Sequence, residues 1–474
     1  MSWETKLSTK SPQNESLSVD RSPKHPLGNA KLEGLCTSRG EIPPAEQWNP
    51  IEEALYTSNQ FSLSANEASG IRFAAIRHSL EYHYEHNAFY RRFCETSGIK
   101  PGDINGPEDY HKLPLVPEHI FKGCPGPDQF VSWLASITSD EIKWPEPESL
   151  KASYDEQIST MRRDHKILVR STSGSSGIPS FLPRDATTGR RSAHWKIIAY
   201  AAMHPGILSV NDLLSVTLWP LDFSWADLIV PPDRVYALLD KKLGLDTVIR
   251  AMTRQEPQGI FDRLLGRKEK TEGAAAMMEG LVSQLSELLR TGAHGIVWSP
   301  PFLIYTLALY VKENNLTLEF GPHWLIELGG GWKLLHERPL SETELRTLVG
   351  QALDVPPGNI HDIYGSTECL GLCGLSCEGG YKHVPHAVLQ PMVLNDQMEP
   401  LSEGIWGRFA FLNPLIRSYP GFIVTGDRVR MFQSCPACER TGPVLDSEVS
   451  RMPDAEDRGC ANIVREIISE KIGN

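Results

Sequence analysis

A segment rich in serine and glycine, residues 171–180, has the composition of an anion-binding loop. It reads Ser-Thr-Ser-Gly-Ser-Ser-Gly-Ile-Pro-Ser, and the apolar residues 167–169 before it predict a strand that leads into a loop. Backbone N–H groups of such a loop can surround a phosphate, and the hydroxyls add further donors. The segment lacks the Gly-Lys-Ser/Thr ending of a Walker A loop. A plain flexible loop is the alternative interpretation, so this segment alone leaves the function open.

Two later segments each contain a glycine followed within three residues by a carboxylate. Residues 363–368 read Ile-Tyr-Gly-Ser-Thr-Glu, and residues 424–430 read Val-Thr-Gly-Asp-Arg-Val-Arg. Glu368 is a candidate magnesium ligand because hard cations prefer carboxylate oxygens. Asp427 follows a predicted tight turn at a strand end, and carboxylates bind ribose hydroxyls in other nucleotide sites. For each residue alone there is a structural alternative: Glu368 could be a solvated carboxylate at a helix start, and Asp427 could be an aspartate of a turn.

In this order, the three segments resemble the motifs of the adenylate-forming superfamily. The resemblance implies an enzyme that joins a carboxylate to the α-phosphate of ATP and releases pyrophosphate, with ATP and Mg²⁺ as cofactors. It implies that the first loop holds the phosphates and that Tyr364 stacks on the adenine. It also implies that Glu368 binds Mg²⁺ and that Asp427 binds the ribose hydroxyls.

A run of three glycines, residues 329–331, follows the strand predicted to begin at Ile326. Ligands bind at the carboxyl ends of parallel strands, and glycines there let a planar base lie against the backbone. In the resembling families this segment lies beside the adenine, although a tight turn is the alternative interpretation. The candidate ATP-binding residues are therefore Thr172, Ser173, Gly174, Ser175, Ser176, Gly177, Gly330, Gly331, Tyr364, Gly365, Ser366, Thr367 and Asp427.

The N-terminal part of the chain narrows the resemblance to two branches of the superfamily. A helix crowded with His and Tyr, the Phe-Tyr-Arg-Arg segment at 89–92 and the Leu-Pro-Leu-Val-Pro-Glu-His-Ile-Phe-Lys run at 113–122 resemble the phenylacetate–CoA ligase group and the acyl-protein synthetase (LuxE) group. The sequence of the last run is closer to that of the LuxE group. Many adenylating enzymes end the first loop with Pro-Lys, whereas Pro179 is followed here by Ser180, which agrees with that group.

The C-terminal part is short for an adenylating enzyme. Only residues 428–474 follow Asp427, whereas a C-terminal domain would need about 100 residues. Lys471 is the only lysine in this part. The Arg-Gly-Cys-Ala-Asn segment at 458–462 resembles the LuxE group, in which a C-terminal cysteine carries the acyl group as a thioester. The resemblance therefore implies that Glu368 and Cys460 are the catalytic residues, with an inert packed cysteine as the alternative interpretation of Cys460.

The LuxE resemblance implies activation of a fatty or other carboxylic acid as acyl-AMP. The acyl group then moves to a protein cysteine and on to an accepting partner such as an acyl reductase. An acid–CoA ligase of the phenylacetate type is the second interpretation, and a ligase that stops at the AMP adduct is the third. A non-catalytic nucleotide-binding or interaction protein is the alternative from another class.

A second group of residues has the composition of a zinc site. Cys435 and Cys438 form a Cys-x-x-Cys pair, and Cys377 with His383 supplies two further ligands for a structural Zn²⁺ ion. Either member of that second pair could instead be replaced by one of two neighbours, Cys373 and His386. A redox-active pair and unpaired thiols are the other interpretations.

Composition limits the classes of function that fit the chain. The net charge of −12 argues against non-specific binding to nucleic acid or to anionic membranes. Nine cysteines, an odd number, do not suit a secreted disulfide framework, so we expect a cytoplasmic protein. The N-terminus has no apolar signal core, and the longest apolar stretch, residues 296–311, is interrupted by Ser and Pro. No membrane span is predicted.

Alternating strand and helix patterns predict an α/β fold, with parallel strands, of the adenylate-forming type. Helices are predicted at 187–203, 274–289 and 340–353, and an N-terminal helical region includes an amphipathic helix around Ile76. The expected organisation has three parts. Residues 1–47 form a disordered polar tail, residues 48–425 form the adenylation domain with its N-terminal helices, and residues 426–474 form a short lid or acyl-carrying segment.

Overall fold

A computed structural model of the protein describes residues 27–57, 60–61, 63–124, 126–146, 153–171, 180–209, 213–218, 228, 230, 232–238, 272–330 and 340–452. The α-helices in these ranges are α1 (Ala30–Thr37), α2 (Pro50–Leu55), α3 (Ala65–His86), α4 (Ala88–Thr96), α5 (Phe130–Ile137), α6 (Tyr154–Asp164), α7 (Ala186–Met203), α8 (Glu272–Arg290), α9 (Pro301–Glu313) and α10 (Glu342–Leu353). The strands are β1 (Val116–Pro117), β2 (Leu168–Ser171), β3 (Phe181–Arg184), β4 (Leu214–Thr217), β5 (Val235–Ala237), β6 (Gly295–Ser299), β7 (Trp324–Gly329), β8 (Ile360–Tyr364), β9 (Gly374–Ser376), β10 (Lys382–His383), β11 (Gln390–Leu394), β12 (Gly407–Leu412), β13 (Phe422–Val429), β14 (Met431–Phe432), β15 (Val444–Leu445) and β16 (Ser450–Arg451).

Nine of the described strands form the largest sheet, in the order β14-β15-β10-β9-β8-β7-β6-β4-β5. Neighbours from β5 to β8 run parallel, whereas β9, β10, β15 and β14 continue the sheet antiparallel. The parallel part follows from the alternation of β6, α9, β7, α10 and β8 along the chain, since each helix returns the chain to the same edge of the sheet. The predicted α/β fold is confirmed.

A second sheet carries the segment with Asp427. Its order is β1-β13-β12-β11, and β16 pairs with β13 through the register Asp427↔Arg451. β1 runs parallel to β13. Asp427 lies within β13, so the tight turn predicted before it is not observed. Through its pairing with β1 and β16, β13 brings the run at 113–122 and the described C-terminal end next to Asp427.

The largest sheet is covered by helices on both faces. Ile326 and Leu328 of β7 belong to the apolar cluster formed with α9 and α10. Glu327, between them, faces α7, where the hydroxyl of Tyr200 donates a hydrogen bond of 2.7 Å to its carboxylate. Trp195 of α7 belongs to the other apolar cluster. This alternation is the period-two pattern of a strand buried on both faces.

Several predicted elements are observed with small shifts at their ends. The predicted helix at 187–203 is α7, the one at 274–289 is α8, and the one at 340–353 is α10. Ser341 and Glu344 form the predicted capping box at the start of α10, because each side chain bonds to the other residue's backbone N–H. The two ends of the serine–glycine segment are held by the antiparallel pair β2–β3, in which Ser171 lies opposite Phe181.

The prediction of a disordered tail over residues 1–47 is wrong for part of that range. Residues 30–37 form α1, which Asn29 caps by accepting hydrogen bonds from two backbone N–H groups. Cys36 of this helix is fully buried, and Leu27 also packs into the core. Capping and tertiary burial stabilise a segment whose polar composition gives no such signal. Residues 1–26 lie outside the described part of the chain.

The expected boundary between residues 425 and 426 falls inside β13. Beyond it, β14 and β15 join the largest sheet and β16 joins the second sheet. Residues 426–452 are therefore part of the two sheets, because their strands complete the hydrogen bonding of strands that precede the boundary. No helix among the described residues is both long and apolar enough to cross a bilayer.

Candidate active site

The Tyr-Gly-Ser-Thr-Glu motif forms a closed turn at the end of β8. The backbone N–H of Gly371 donates a 2.7 Å hydrogen bond to the carbonyl of Ser366, which closes the turn. A side chain at Gly365 would begin 2.2 Å from the carbonyl oxygen of Gly371, so only glycine fits there. The turn holds Glu368 in a short 3₁₀ helix, Thr367–Cys369, at the carboxyl end of a sheet strand. Ligands bind in this position in open α/β sheets.

Tyr364 and Asp427 meet across the two sheets. The hydroxyl of Tyr364, the last residue of β8, donates a 2.7 Å hydrogen bond to Oδ2 of Asp427 on β13. Burial raises the pKa of Asp427, although the Arg451 guanidinium 3.1 Å away acts in the opposite direction. The structure therefore brings together the two residues for which the superfamily resemblance implies contacts with the adenine and the ribose.

Glu368 is a buried carboxylate that suits a divalent cation. Its exposed fraction is 4%, and burial raises its pKa to about 7, with the nearby charge of Glu118 acting in the same sense. Ser180, the last residue of the serine–glycine segment, and Lys122 act in the opposite sense. A bound Mg²⁺ ion would restore the charged form, because an adjacent positive charge offsets the cost of desolvation. The residues present therefore fit a magnesium-bound nucleotide.

Sequence reasoning missed an ion-pair network beside Asp427. Oε1 of Glu118 accepts from Nζ of Lys122 at 3.4 Å and from Nη1 of Arg451 at 3.1 Å. Arg451 also reaches Asp427, so it links β16 to both carboxylates. Glu118 and Lys122 belong to the run at 113–122, whose sequence indicated a family but no chemical role for these residues. Their roles depend on the pairing of β1 and β16 with β13, which the sequence does not reveal.

Arg184 is a second residue that sequence reasoning missed. It ends β3 with 5% of its surface exposed. Its guanidinium donates to the carbonyl of Thr367 at 3.2 Å and to the hydroxyl of Ser192 at 3.3 Å. Burial lowers its pKa to about 10. Arg184 therefore connects the strand that follows the serine–glycine segment to the turn that carries Glu368.

The four predicted zinc ligands converge. The ligand atoms of Cys377, His383, Cys435 and Cys438 all lie within 4.8 Å of one another. Sγ of Cys377 is 3.8 Å from Sγ of Cys435, and Sγ of Cys438 is 3.2 Å from Nε2 of His383. A tetrahedral zinc ion with Zn–S bonds of about 2.3 Å separates two sulfur atoms by about 3.8 Å. The geometry of this Cys/His cluster therefore fits a Zn²⁺ ion.

Cys373 and His386, the alternative zinc ligands, lie outside this cluster. Cys373 is buried beside Cys369, and its backbone N–H bonds to the carbonyl of Tyr364 at 2.8 Å. His386 contacts the carbonyl of Leu63 through Nε2 at 3.3 Å. Neither belongs to the cluster found among the described residues.

Some candidate residues lie outside the described part of the chain. They are Thr172, Ser173, Gly174, Ser175, Ser176, Gly177, Gly331 and Cys460. Gly330 is described and follows β7 with a φ of +85°, a conformation that favours glycine. The roles of these residues stay predictions.

Replacement of Glu368 by Gln should stabilise the ligand-free protein at alkaline pH. The folded-state pKa of about 7 exceeds the usual value of 4.5, so the folded protein binds the extra proton between these values. The stability that this group contributes is therefore lost as the pH rises through 7. We expect Glu368→Gln to raise the free energy of unfolding by roughly 1–3 kcal/mol at pH 8 and by almost nothing at pH 4, below the usual pKa. Urea unfolding without magnesium or nucleotide measures this difference.

The matched control is Glu313→Gln at the exposed end of α9, which should follow the wild type at both pH values. Equal stability of Glu368→Gln and the wild type at pH 8 would contradict the raised pKa.

Comparison with known proteins identifies the family of the chain. The family model "Acyl-protein synthetase, LuxE" matches residues 46–144 and 269–469. The long-chain-fatty-acid–luciferin-component ligase of Aliivibrio fischeri is 20% identical over 424 residues, which cover 89% of this chain and 95% of that protein. The ligase of the same name from Vibrio harveyi is 22% identical over 378 residues, covering 80% of this chain and 83% of that protein.

A solved structure has a similar fold. The crystal structure of an open conformation of 2-hydroxyisobutyryl-CoA ligase, in complex with 2-HIB-AMP and CoA, aligns with a TM-score of 0.55 at 15% identity. The alignment covers 88% of this chain and 75% of that chain. The fold is thus that of the adenylate-forming superfamily, as the order of the three motifs implies. The chain belongs to the acyl-protein synthetase (LuxE) family and is an adenylate-forming ligase that activates a carboxylic acid.

Proposed function

We propose that this ligase activates a fatty acid as acyl-AMP and transfers the acyl group to the thiol of Cys460, for delivery to an accepting protein such as an acyl reductase. The observation that carries the proposal is the contact between Tyr364 and Asp427 beside the buried Glu368. The names of the Aliivibrio and Vibrio relatives, long-chain-fatty-acid ligases, support a fatty acid as the substrate.

In the first step, a carboxylate oxygen of the acid forms a bond to the α-phosphorus of ATP. The bond to the bridging oxygen breaks, and pyrophosphate leaves with the electron pair. Tyr364 and Asp427 hold the adenine and the ribose, so that the α-phosphate stays in one position relative to the acid. Glu368 would hold Mg²⁺, which would neutralise phosphate charge. Most of the acceleration comes from positioning and charge neutralisation.

In the second step, the Cys460 thiolate attacks the acyl carbon, and AMP leaves with the electron pair of the acyl–oxygen bond. The position of the chain just before this cysteine supports the proposal. The backbone N–H of Met452 donates to the carbonyl of Gly426 at 2.9 Å, so the chain leaves β16 next to Asp427. The stretch from residue 453 to Cys460 can span at most about 28 Å when extended, which is enough to reach an acyl-AMP bound at this site.

We also propose that the cluster of Cys377, His383, Cys435 and Cys438 binds a structural Zn²⁺ ion. Cys377 and His383 lie at β9 and β10, whereas Cys435 and Cys438 lie in the connection from β14 to β15. The ion would hold this connection against the largest sheet, since β10 pairs with β15. Arg440, next to the cluster, bonds to the carbonyl of Met203 at the end of α7. The ion would thereby stabilise the part of the chain that leads to β16.

Acid-dependent release of pyrophosphate tests the activation step. With ATP, magnesium and a series of fatty acids, we expect the wild type to release pyrophosphate. The rate of release by Glu368→Ala should be at least about a hundredfold lower, the usual effect of removing an electrostatic catalyst. Glu313→Ala at the exposed end of α9 is the matched control. Unchanged turnover of Glu368→Ala would reject the role of this carboxylate, and no release with any acid would reject the proposed function.

Peptide mapping tests the acyl transfer. After incubation with ATP, magnesium and a fatty acid, we expect a hydroxylamine-sensitive adduct on Cys460 that disappears in Cys460→Ser, while pyrophosphate release persists. An adduct on another cysteine would contradict transfer through Cys460. Formation of free acyl-CoA upon addition of coenzyme A, with no protein adduct, would instead indicate an acid–CoA ligase.

Metal analysis tests the zinc site. We expect about one equivalent of zinc in the purified wild type, and nearly none in Cys435→Ser, because loss of one ligand opens a four-coordinate structural site. Cys124→Ser is the matched control, since Cys124 is a partly buried thiol outside the cluster. Removal of zinc by a chelator should lower the melting temperature of the wild type and leave that of Cys435→Ser unchanged. Absence of stoichiometric zinc in the wild type would reject the site.

A further inference from the structure

A lysine of α7 lies against the turn that carries Glu368. Lys196 is partly buried. Its neighbours in the chain, Trp195 and Ile197, are almost completely buried. Its Nζ atom would be 3.1 Å from a Cβ atom placed on Gly371, the residue that closes the turn. A side chain at position 371 would therefore displace the ammonium group. Glycine also suits the backbone there, because its φ is +88°.

Two arginines lie close enough to Lys196 to act on its charge. Arg184 on β3 and Arg170 on β2 both act on its ammonium group, and together with burial they hold the pKa of Lys196 well below its usual range. Cys369 acts in the opposite sense. Cations brought together in a poorly solvated place favour the binding of an anion, since the anion lowers their mutual repulsion.

Another lysine near Glu368 and Asp427 is Lys122, which pairs with Glu118. Neither residues 171–180 nor residues 428–452 contain a lysine. On α7, by contrast, Ala199 and Tyr200 follow Lys196 by about one helical turn and are fully buried. On this face of α7, Ser192 and Tyr200 lie one turn to either side of Lys196, and their hydroxyls bond to Arg184 and Glu327.

We propose that the Lys196 ammonium group binds the carboxylate of the acid substrate, a role that rests on the proposed function. A fatty acid has one charge on an apolar chain, and moving that charge into a protein interior costs several kcal/mol unless a partner is present. One ammonium group matches one carboxylate. ATP phosphates instead need many donors, which backbone and hydroxyl groups of a loop can supply. Lys196 would fix the carboxylate beside the turn that carries Glu368, where the α-phosphate is activated.

Binding of a matched acid and alcohol tests the proposal. Tetradecanoic acid and tetradecanol have chains of the same length and differ in the charged group. We expect Lys196→Met to weaken binding of the acid by at least about tenfold and to change binding of the alcohol and the KM for ATP by no more than about twofold, because only the acid loses its ionic partner. Lys196→Arg should recover part of the preference for the acid, since it keeps the charge. Calorimetry measures the binding without turnover.

Two further variants control for folding and for general loss of charge. Lys312→Met removes an exposed lysine near the end of α9 and should bind the acid as the wild type does. Gly371→Ala places a methyl group against the Lys196 ammonium, and it should weaken binding of the acid more than binding of the alcohol. Melting curves and ATP binding show whether each variant is folded.

The possible outcomes separate this proposal from the proposed function. Pyrophosphate release by the wild type together with an unchanged acid-to-alcohol preference in folded Lys196→Met would overturn the role of Lys196 alone. A larger rise in the KM for ATP than in the dissociation constant for the acid would also overturn it, by assigning Lys196 to the phosphates. If the wild type neither binds tetradecanoic acid nor releases pyrophosphate with any fatty acid, the proposed function fails and this proposal fails with it.

Discussion

The hydrogen bond from Tyr364 to Asp427 joins the two sheets on which the active site is built. β8 ends at Tyr364 in the largest sheet, and Asp427 lies on β13 in the second sheet. The two polar groups satisfy each other in a partly buried position, where water would satisfy an unpaired group only in part. In the proposed complex, the adenine would stack on Tyr364 and the ribose hydroxyls would bond to Asp427. The same pair can therefore connect the two sheets in the free protein and contact the nucleotide in the proposed complex.

The active site concentrates charges that burial disfavours. Glu368 has a pKa raised to about 7, and burial also raises the pKa of Asp427. Arg184 and Lys196 are cations whose pKa values burial lowers. The protein thus holds desolvated groups of both signs before any ligand binds, at a cost in stability. Such preorganisation is typical of catalytic sites, where fixed charges stabilise a transition state without reorganisation.

The described C-terminal part is held to the sheets in two ways. Ion pairs connect Arg451 of β16 to Glu118 and Asp427, and the pairing of β15 with β10 fixes the connection that carries Cys435 and Cys438. A chain fixed in this way enters the segment with Cys460 from a defined point beside Asp427. A short attached segment then has a high effective concentration near the site, so the chemistry proposed for Cys460 does not require a large rotating domain.

Local patterns in the sequence determined the fold class and several helices of the described parts, because strand and helix periodicity and the Ser341–Glu344 capping box are local properties. They also supplied the residues that we propose for nucleotide binding. The four ligands of the Cys/His cluster could also be named from their types and spacing. The sequence did not predict α1, the strand that continues through residue 425, or the roles of Glu118, Arg184, Lys196 and Arg451. These depend on contacts between residues far apart in the chain, and only tertiary structure decides which strands pair and which charges share a buried space.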